Sequence, residues 1–113
     1  MQILEIIRGD SNKFSFTRKD NEGETILQPA NNVYFTVKES WTSQDYLLQK
    51  TIEDMTFSEG KYEFTIEPEE TDNLEYGMYV YDLEVIQESN KQTISRGTFK
   101  ITEEATFASN EVE

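Results

Sequence analysis

The chain is short and strongly acidic: its 113 residues include 10 lysines and arginines against 23 aspartates and glutamates, a formal net charge of −13. A chain of this length accommodates one domain with a modest core. The negative field repels phosphate backbones and anionic membrane surfaces, so composition argues against nucleic acid and membranes as direct partners. Basic protein surfaces, other subunits and hard cations remain as partners.

Two missing residue types narrow the chemistry further. Because the chain has no cysteine, it can form neither a disulfide nor a thiolate metal site. Because it has no histidine, it lacks the commonest general base and zinc ligand, which excludes Ser-His-Asp and Cys-His catalysis. We therefore expect a protein that is not an enzyme, with no catalytic residue, cofactor, metal or small-molecule substrate.

Alternation of apolar and polar residues with a period of two dominates the first half of the chain. A turn at 20–23 is rich in residues that tolerate positive φ. A loop that carries Trp41, with Tyr46 at its border, separates the third and fourth long alternating segments. The alternation predicts strands at 3–7, 14–17, 33–38 and 46–52, with a short return strand at 24–27.

The second half continues the pattern around one helical turn. Pro68 and the acids after it favour a helical turn at 68–74, since proline suits the first helical position and acids suit the positive end. Ile94 and Phe99 have opposite parity, so both can face the core only if an extra residue intervenes, and we expect a β-bulge at Gly97. The strands predicted here are 62–66, 78–87 and 92–102, with a hairpin loop at 88–91.

The segment 74–85 is typical of a tight corner that leads into a strand. Leu74, Gly77 and Tyr79 follow the pattern of the tyrosine corner in immunoglobulin-like sandwiches, in which the phenol bonds to nearby backbone. The alternation that begins at Tyr79 leaves Asp82 and Glu84 on the opposite face. We interpret these two acids as a solvated surface and not as a catalytic carboxylate pair.

The number and spacing of these elements indicate the fold class. Seven to eight short strands spaced about ten residues apart predict an all-β protein, an antiparallel two-sheet immunoglobulin-like β-sandwich. We place this domain at 1–102 and expect an acidic, loosely ordered C-terminal tail at 103–113. An oligonucleotide-binding barrel is the alternative, which the strand count and the acidity disfavour.

Three short motifs have simple structural interpretations. Arg8, Gly9 and Asp10 spell the integrin tripeptide, but a match of three letters is common by chance and we expect a bend. The acidic turn that begins at Asp20 resembles the front of a calcium loop without its closing glutamate, so a plain turn is expected. The candidate interface residues are Trp41, Tyr46 and Phe107, because exposed aromatic side chains carry binding energy disproportionately.

A series of landmarks extends over residues 6–101. These are an Arg-Gly-Asp-Ser start leading into Phe14 and Phe16, a hairpin glycine at Gly23, and the segments 33–38, 60–66, 77–85 and 93–101. Their order resembles small phage and prophage proteins of low-GC Gram-positive bacteria, and the N-terminal immunoglobulin-like domain of siphophage baseplate upper proteins.

The resemblance implies a virion structural module, made in the host cytoplasm without a signal peptide. Such a module acts in a tail or baseplate by contact with other virion proteins or with itself. No coiled coil or receptor-binding domain follows in this sequence, so the resemblance extends to one domain of the baseplate protein. A carbohydrate-binding or host-adhesion module that uses Trp41, Tyr46 and nearby acids is the second hypothesis.

Overall fold

The computed structural model describes residues 2–103, which form two β-sheets and short helical segments. One helical turn, α1 (Pro68–Thr71), lies within the range predicted for it, and a 3-10 turn occupies Ile52–Asp54. The eight strands of the described residues are β1 (Gln2–Ile7), β2 (Asn12–Thr17), β3 (Asn32–Lys38), β4 (Leu48–Thr51), β5 (Thr56–Ser58), β6 (Lys61–Ile66), β7 (Gly77–Gln87) and β8 (Asn90–Thr102).

The strands divide into a sheet of five in the order β1-β8-β7-β3-β4 and a sheet of three in the order β2-β6-β5. Pairing is antiparallel except between β1 and β8, which run parallel from Gln2 opposite Gly97 to Ile7 opposite Thr102. The prediction of a wholly antiparallel sandwich is therefore wrong at this edge. The link between β1 and β2 crosses from one sheet to the other, so β1 lies beside the last strand instead of forming a hairpin with β2.

The core lies between the two sheets, as the alternating pattern predicts. Along β3, Val33, Phe35 and Val37 are almost fully buried while their neighbours are half-buried on the other face. Phe35 is central, with ring centroids 4.9 Å from Phe64 of the opposite sheet and 5.7 Å from Tyr81 of its own sheet. This confirms an all-β, two-layered architecture that is held together by apolar packing.

The irregularity predicted for the last strand exists, but at another residue. Leu83 pairs with Ser95 and Glu84 pairs with Thr93, so Ile94 is the extra residue of the bulge. The predicted site, Gly97, is buried and in regular register with β7 and β1. The bulge lies where β8 pairs only with β7 among the described strands, which is where an extra residue disturbs one ladder instead of two.

Other differences concern short segments in which side-chain alternation is a weak signal. The return strand predicted at 24–27 is reduced, within the described part of the chain, to an isolated bridge between Lys19 and Thr25. The strand predicted at 46–52 is confirmed only over β4, because Ile52 already belongs to the 3-10 turn. The strand β5 was not predicted, and the tail beyond Glu103, including Phe107, lies outside the described residues.

Candidate functional site

The predicted corner is present at the start of β7. The Tyr79 hydroxyl donates a hydrogen bond of 2.6 Å to the carbonyl oxygen of Glu75, and Gly77 has a φ of +146° that favours glycine. Burial, followed by the charges of Glu75 and Glu39, raises the pKa of Tyr79 above its ordinary value. The phenol therefore remains protonated and holds the corner, which makes Tyr79 a fold residue.

The Arg-Gly-Asp tripeptide is built into the same end of the molecule. The guanidinium of Arg8 donates to the Leu74 carbonyl oxygen at 3.1 Å and to the Tyr76 hydroxyl at 2.9 Å. It also lies over the Tyr76 ring, 4.2 Å from its centroid. Arg8 thus ties the turn after β1 to the corner before β7, and its contacts within the chain agree with the expected bend.

The acidic turn at Asp20 closes on its own backbone. One carboxylate oxygen of Asp20 accepts hydrogen bonds from the backbone N–H groups of Glu22 and Glu24, at 2.9 and 3.0 Å. Gly23 supplies a φ of +83°. This is the local hydrogen bonding of an Asx turn. Among the described residues, no group of three or more potential ligands is arranged to hold a metal ion.

Trp41 lies on the five-stranded sheet, on the side that faces away from the core (the outer face). Its ring is 41% exposed, and the Arg96 guanidinium lies 4.2 Å above its centroid. Trp41 shares a depression of about 80 Å³ with residues of β3 and β7, including Lys38 and Asp82. Tyr46 is 56% exposed and is not among the residues that line this depression. The two candidates therefore do not share it.

Most of the exposed large apolar side chains lie on the outer face or next to it. In β1 and β7, Ile3 and Met78 are 64% and 63% exposed because their strand alternation points them away from the core. Leu47 and Tyr76 line a cleft of about 380 Å³ beside Met78, together with the acid Glu39. Alternation predicts the phase of Met78, but only the fold brings Leu47 and Tyr76 beside it.

A second apolar surface lies between the two sheets. A groove of about 580 Å³ runs beside β2 and is lined by core-facing side chains of both sheets, including Leu4, Phe14, Phe16 and Ile94. Sequence reasoning missed this groove, because it predicted the strands that carry these residues but not how the strands divide between the two sheets. The groove is indicated by the unequal number of strands in the two sheets, and this number is known only once the strand pairing is known.

Comparisons with known proteins bear on the fold alone. No family model matches the chain, and no curated protein matches it. Among solved structures, the chain is similar to an endo-β-1,4-mannanase from Thermotoga petrophila, with a TM-score of 0.59 and 14% sequence identity. The match covers 89% of this chain and 18% of the mannanase chain. At this identity the likeness supports a shared domain fold, and the chain spans less than a fifth of the enzyme.

The class that fold and surface define is an all-β sandwich with several exposed apolar side chains on one outer face and one open inter-sheet groove. In residues 2–103, no helix is long and apolar enough to cross a membrane.

Proposed function

We propose that this chain is a non-enzymatic structural or assembly module that acts by protein–protein contact, and that it belongs to a phage tail or baseplate. The observation that carries the proposal is the set of exposed apolar side chains that stand among charged residues on the outer face of the five-stranded sheet. Of the eight exposed large hydrophobic side chains in residues 2–103, four lie on this face and two line the adjoining cleft. These six residues are Ile3, Ile7, Trp41, Met78, Leu47 and Tyr76.

Concentration of apolar side chains on one surface is a property of interaction sites. Scattered exposed hydrophobic residues are normal on monomers, whereas clusters with a polar rim mark places where another macromolecule binds. The rim here is charged, with Glu39 and Glu75 at the cleft and Arg96 over Trp41. A protein surface is the natural complement, because it can cover apolar area and pair with the charges at the edge.

The immunoglobulin-like type of sandwich is part of the same proposal. It is supported by the corner hydrogen bond from Tyr79 to Glu75 in the penultimate strand. It is also supported by the strand order, in which β7 lies between β8 and β3 while β2, β6 and β5 form the facing sheet. The phage assignment is supported by the sequence resemblance of 6–101 to baseplate upper proteins.

The test is the assembly state of the protein, alone and co-expressed with the products of the genes that flank its own. We expect sedimentation velocity at physiological salt to show complexes heavier than the 13.2 kDa monomer, either with itself or with a flanking gene product. Met78→Glu places a charge in the outer face and should abolish these complexes. Leu27→Glu is the matched control, because Leu27 is 65% exposed beside the three-stranded sheet. Equal behaviour of the two variants would contradict the proposal.

The second candidate is carbohydrate binding, which the half-exposed ring of Trp41 specifically favours. Two features weigh against it. The depression beside Trp41, about 80 Å³, is far smaller than the roughly 300–1,000 Å³ of ordinary ligand pockets. One ring face is already covered by Arg96. Binding on a glycan array that is lost in Trp41→Ala, from a protein that stays monomeric, would favour this candidate over the first.

A further inference from the structure

The inter-sheet groove is open because the two sheets have different widths. Five strands in one sheet face three in the other, and the uncovered part lies beside β2, one of the two edge strands of the smaller sheet. Phe14 and Phe16 of β2 are half-buried, as are Leu4 and Ile94 of the larger sheet. The groove of about 580 Å³ therefore exposes apolar side chains that another strand in the smaller sheet would cover.

The backbone of β2 offers a place for such a strand. Within residues 2–103, β6 is the only strand that pairs with β2, from Asn12 opposite Ile66 to Thr17 opposite Lys61. The other edge of β2 borders the groove, where Ser15 lies at the rim. An added strand would lie about 4.8 Å from β2, and every second side chain would point toward the other sheet about 10 Å away. Backbone hydrogen bonds and apolar burial would then act together.

Charge distinguishes this edge from the rest of the molecule. The segment 11–19, which contains β2, carries no aspartate or glutamate in a chain whose net charge is −13. It carries three of the chain's ten basic residues, Lys13, Arg18 and Lys19, whereas the basic residues of β8 belong to the outer face, where Arg96 lies over Trp41 and Lys91 pairs with Glu84. Glu5 of β1 alternates with the core-facing Leu4 and Ile6 and so belongs to the outer face.

We infer that the groove beside β2 is a docking site for an extended acidic segment of a partner protein, in which apolar and acidic residues alternate. The partner strand pairs with the free edge of β2, places its apolar side chains over Phe14, Phe16 and Ile94, and directs its acids away from the core, on the side of β2 that carries Lys13. The inference rests on the proposed assembly function and identifies the chemistry of one partner. The net charge of the whole chain favours a basic partner, whereas at this edge we infer an acidic one.

The charges near β2 determine which partner is favoured there, because salt screens the negative field of the rest of the chain. At physiological ionic strength charges are screened over about 8 Å, so the acids of a segment paired with β2 respond mainly to β2 itself. A second copy of β2 fits poorly, because Lys13 of each copy would approach the basic segment of the other. The same lysine favours an acidic strand.

The experiment uses the whole chain and synthetic peptides about six residues long, the length of an ordinary strand. One peptide alternates valine with glutamate and the other alternates valine with lysine. We expect amide chemical-shift changes confined to β2 and residues 93–96, at least about tenfold tighter binding of the acidic peptide, and weakening as salt rises. Equal affinity for both peptides, no binding of either, or changes centred on Trp41 and Met78 would overturn the inference.

Two further measurements separate strand addition from loose electrostatic attraction. Two versions of the acidic peptide are methylated on alternate backbone nitrogens, one at the odd and one at the even positions. Binding should be abolished in the version whose methyl groups face β2 and retained in the version whose methyl groups face solvent. Ile94→Glu should weaken the acidic peptide at least about tenfold by charge repulsion in the groove, whereas Met78→Glu should leave it unchanged. Equal sensitivity of the two methylated peptides would contradict strand addition even if Ile94→Glu failed to fold.

These variants also separate the inference from the function on which it rests. If complexes form and depend on Met78 but the acidic peptide does not bind, the docking site at β2 is wrong and the assembly function stands. If the acidic peptide binds β2 but no Met78-dependent complex forms, the proposed role of the outer face fails.

Discussion

The two long sides of this sandwich are closed in different ways. On one side, β4 leads through the 3-10 turn Ile52–Asp54 into β5, and the connection directs Ile52 and Met55 against the core. An ion pair between Lys50 and Glu70, at 2.8 Å, closes the gap further. On the other side, the link from β1 to β2 crosses between the sheets at one end only, and the groove remains open along β2.

The difference shows how one fold separates stability from recognition. A connection that contributes apolar side chains along its length seals an edge, because it completes the apolar burial within the chain. A connection that only crosses the edge leaves backbone groups and half-buried aromatic rings for another molecule. We therefore expect substitutions in the core and at the sealed side to affect unfolding, and substitutions along the groove to affect binding.

The largest effect should come from removing aromatic rings that differ in exposure. Phe35 is 1% exposed, so Phe35→Ala should lower the free energy of unfolding by about 4 kcal/mol. Phe16 lines the groove and stacks on Tyr62 at 4.7 Å, and Phe16→Ala should lower it by roughly half as much because its ring is partly in solvent already. Urea denaturation measures both, and equal losses would mean that the groove is closed in solution.

An intermediate effect should come from the ion pair on the sealed side. Lys50 and Glu70 have side chains only 13% and 27% exposed, so Lys50→Met should destabilise the protein by about 1–2 kcal/mol. The matched control is Lys61→Met, whose pair with Glu63 is 53% and 31% exposed and should contribute less than about 0.5 kcal/mol. A double-mutant cycle with Glu70→Gln isolates the coupling. A coupling near zero would show that apolar packing alone seals this side.

The smallest effect should come from the corner at the end of the sandwich. Tyr79→Phe removes one hydrogen bond and should cost about 0.5–1 kcal/mol near neutral pH. The control Tyr76→Phe removes an exposed bond from Arg8 and should cost less than about 0.5 kcal/mol.

The pH dependence of stability provides a second measurement at Tyr79. Its pKa is raised on folding, by burial and then by the charges of Glu75 and Glu39, so the fold favours the protonated phenol. This contribution is complete below the unfolded tyrosine pKa of about 10 and is lost as pH rises through the folded pKa. Thermal unfolding across the alkaline range should show a loss of stability that is reduced in Tyr79→Phe, and an identical loss in both proteins would remove Tyr79 as its source.

Much of the fold was predictable because it depends on local alternation. The burial of Val33, Phe35 and Val37 follows from the parity of one strand, and the corner at Tyr79 follows from a pattern that spans a few residues. The parity conflict between Ile94 and Phe99 correctly predicted a bulge. Its position was wrong because the place where β1 begins to cover β8 depends on a pairing between the two ends of the chain.

The candidate site was less predictable, since it depends on which strands become neighbours. Trp41 was proposed as a surface anchor from its place in a loop, but its contact with Arg96 joins segments far apart in sequence. Lys50 belongs to the strand predicted at 46–52, and only the packing of α1 against the edge supplies Glu70 as its partner. The apolar character of Phe14 and Phe16 was evident, but not that one side of them is open.

By itself, the sequence determined the phase of the strands, the acidity and the absence of cysteine and histidine, because these are properties of composition or of neighbouring residues. Only the tertiary structure decided that β1 runs parallel to β8, that apolar residues gather on one outer face, and that a groove lies beside β2. The reason is physical. Alternation shows which face of a strand is apolar, whereas the number of strands in each sheet decides whether that face is covered by the other sheet.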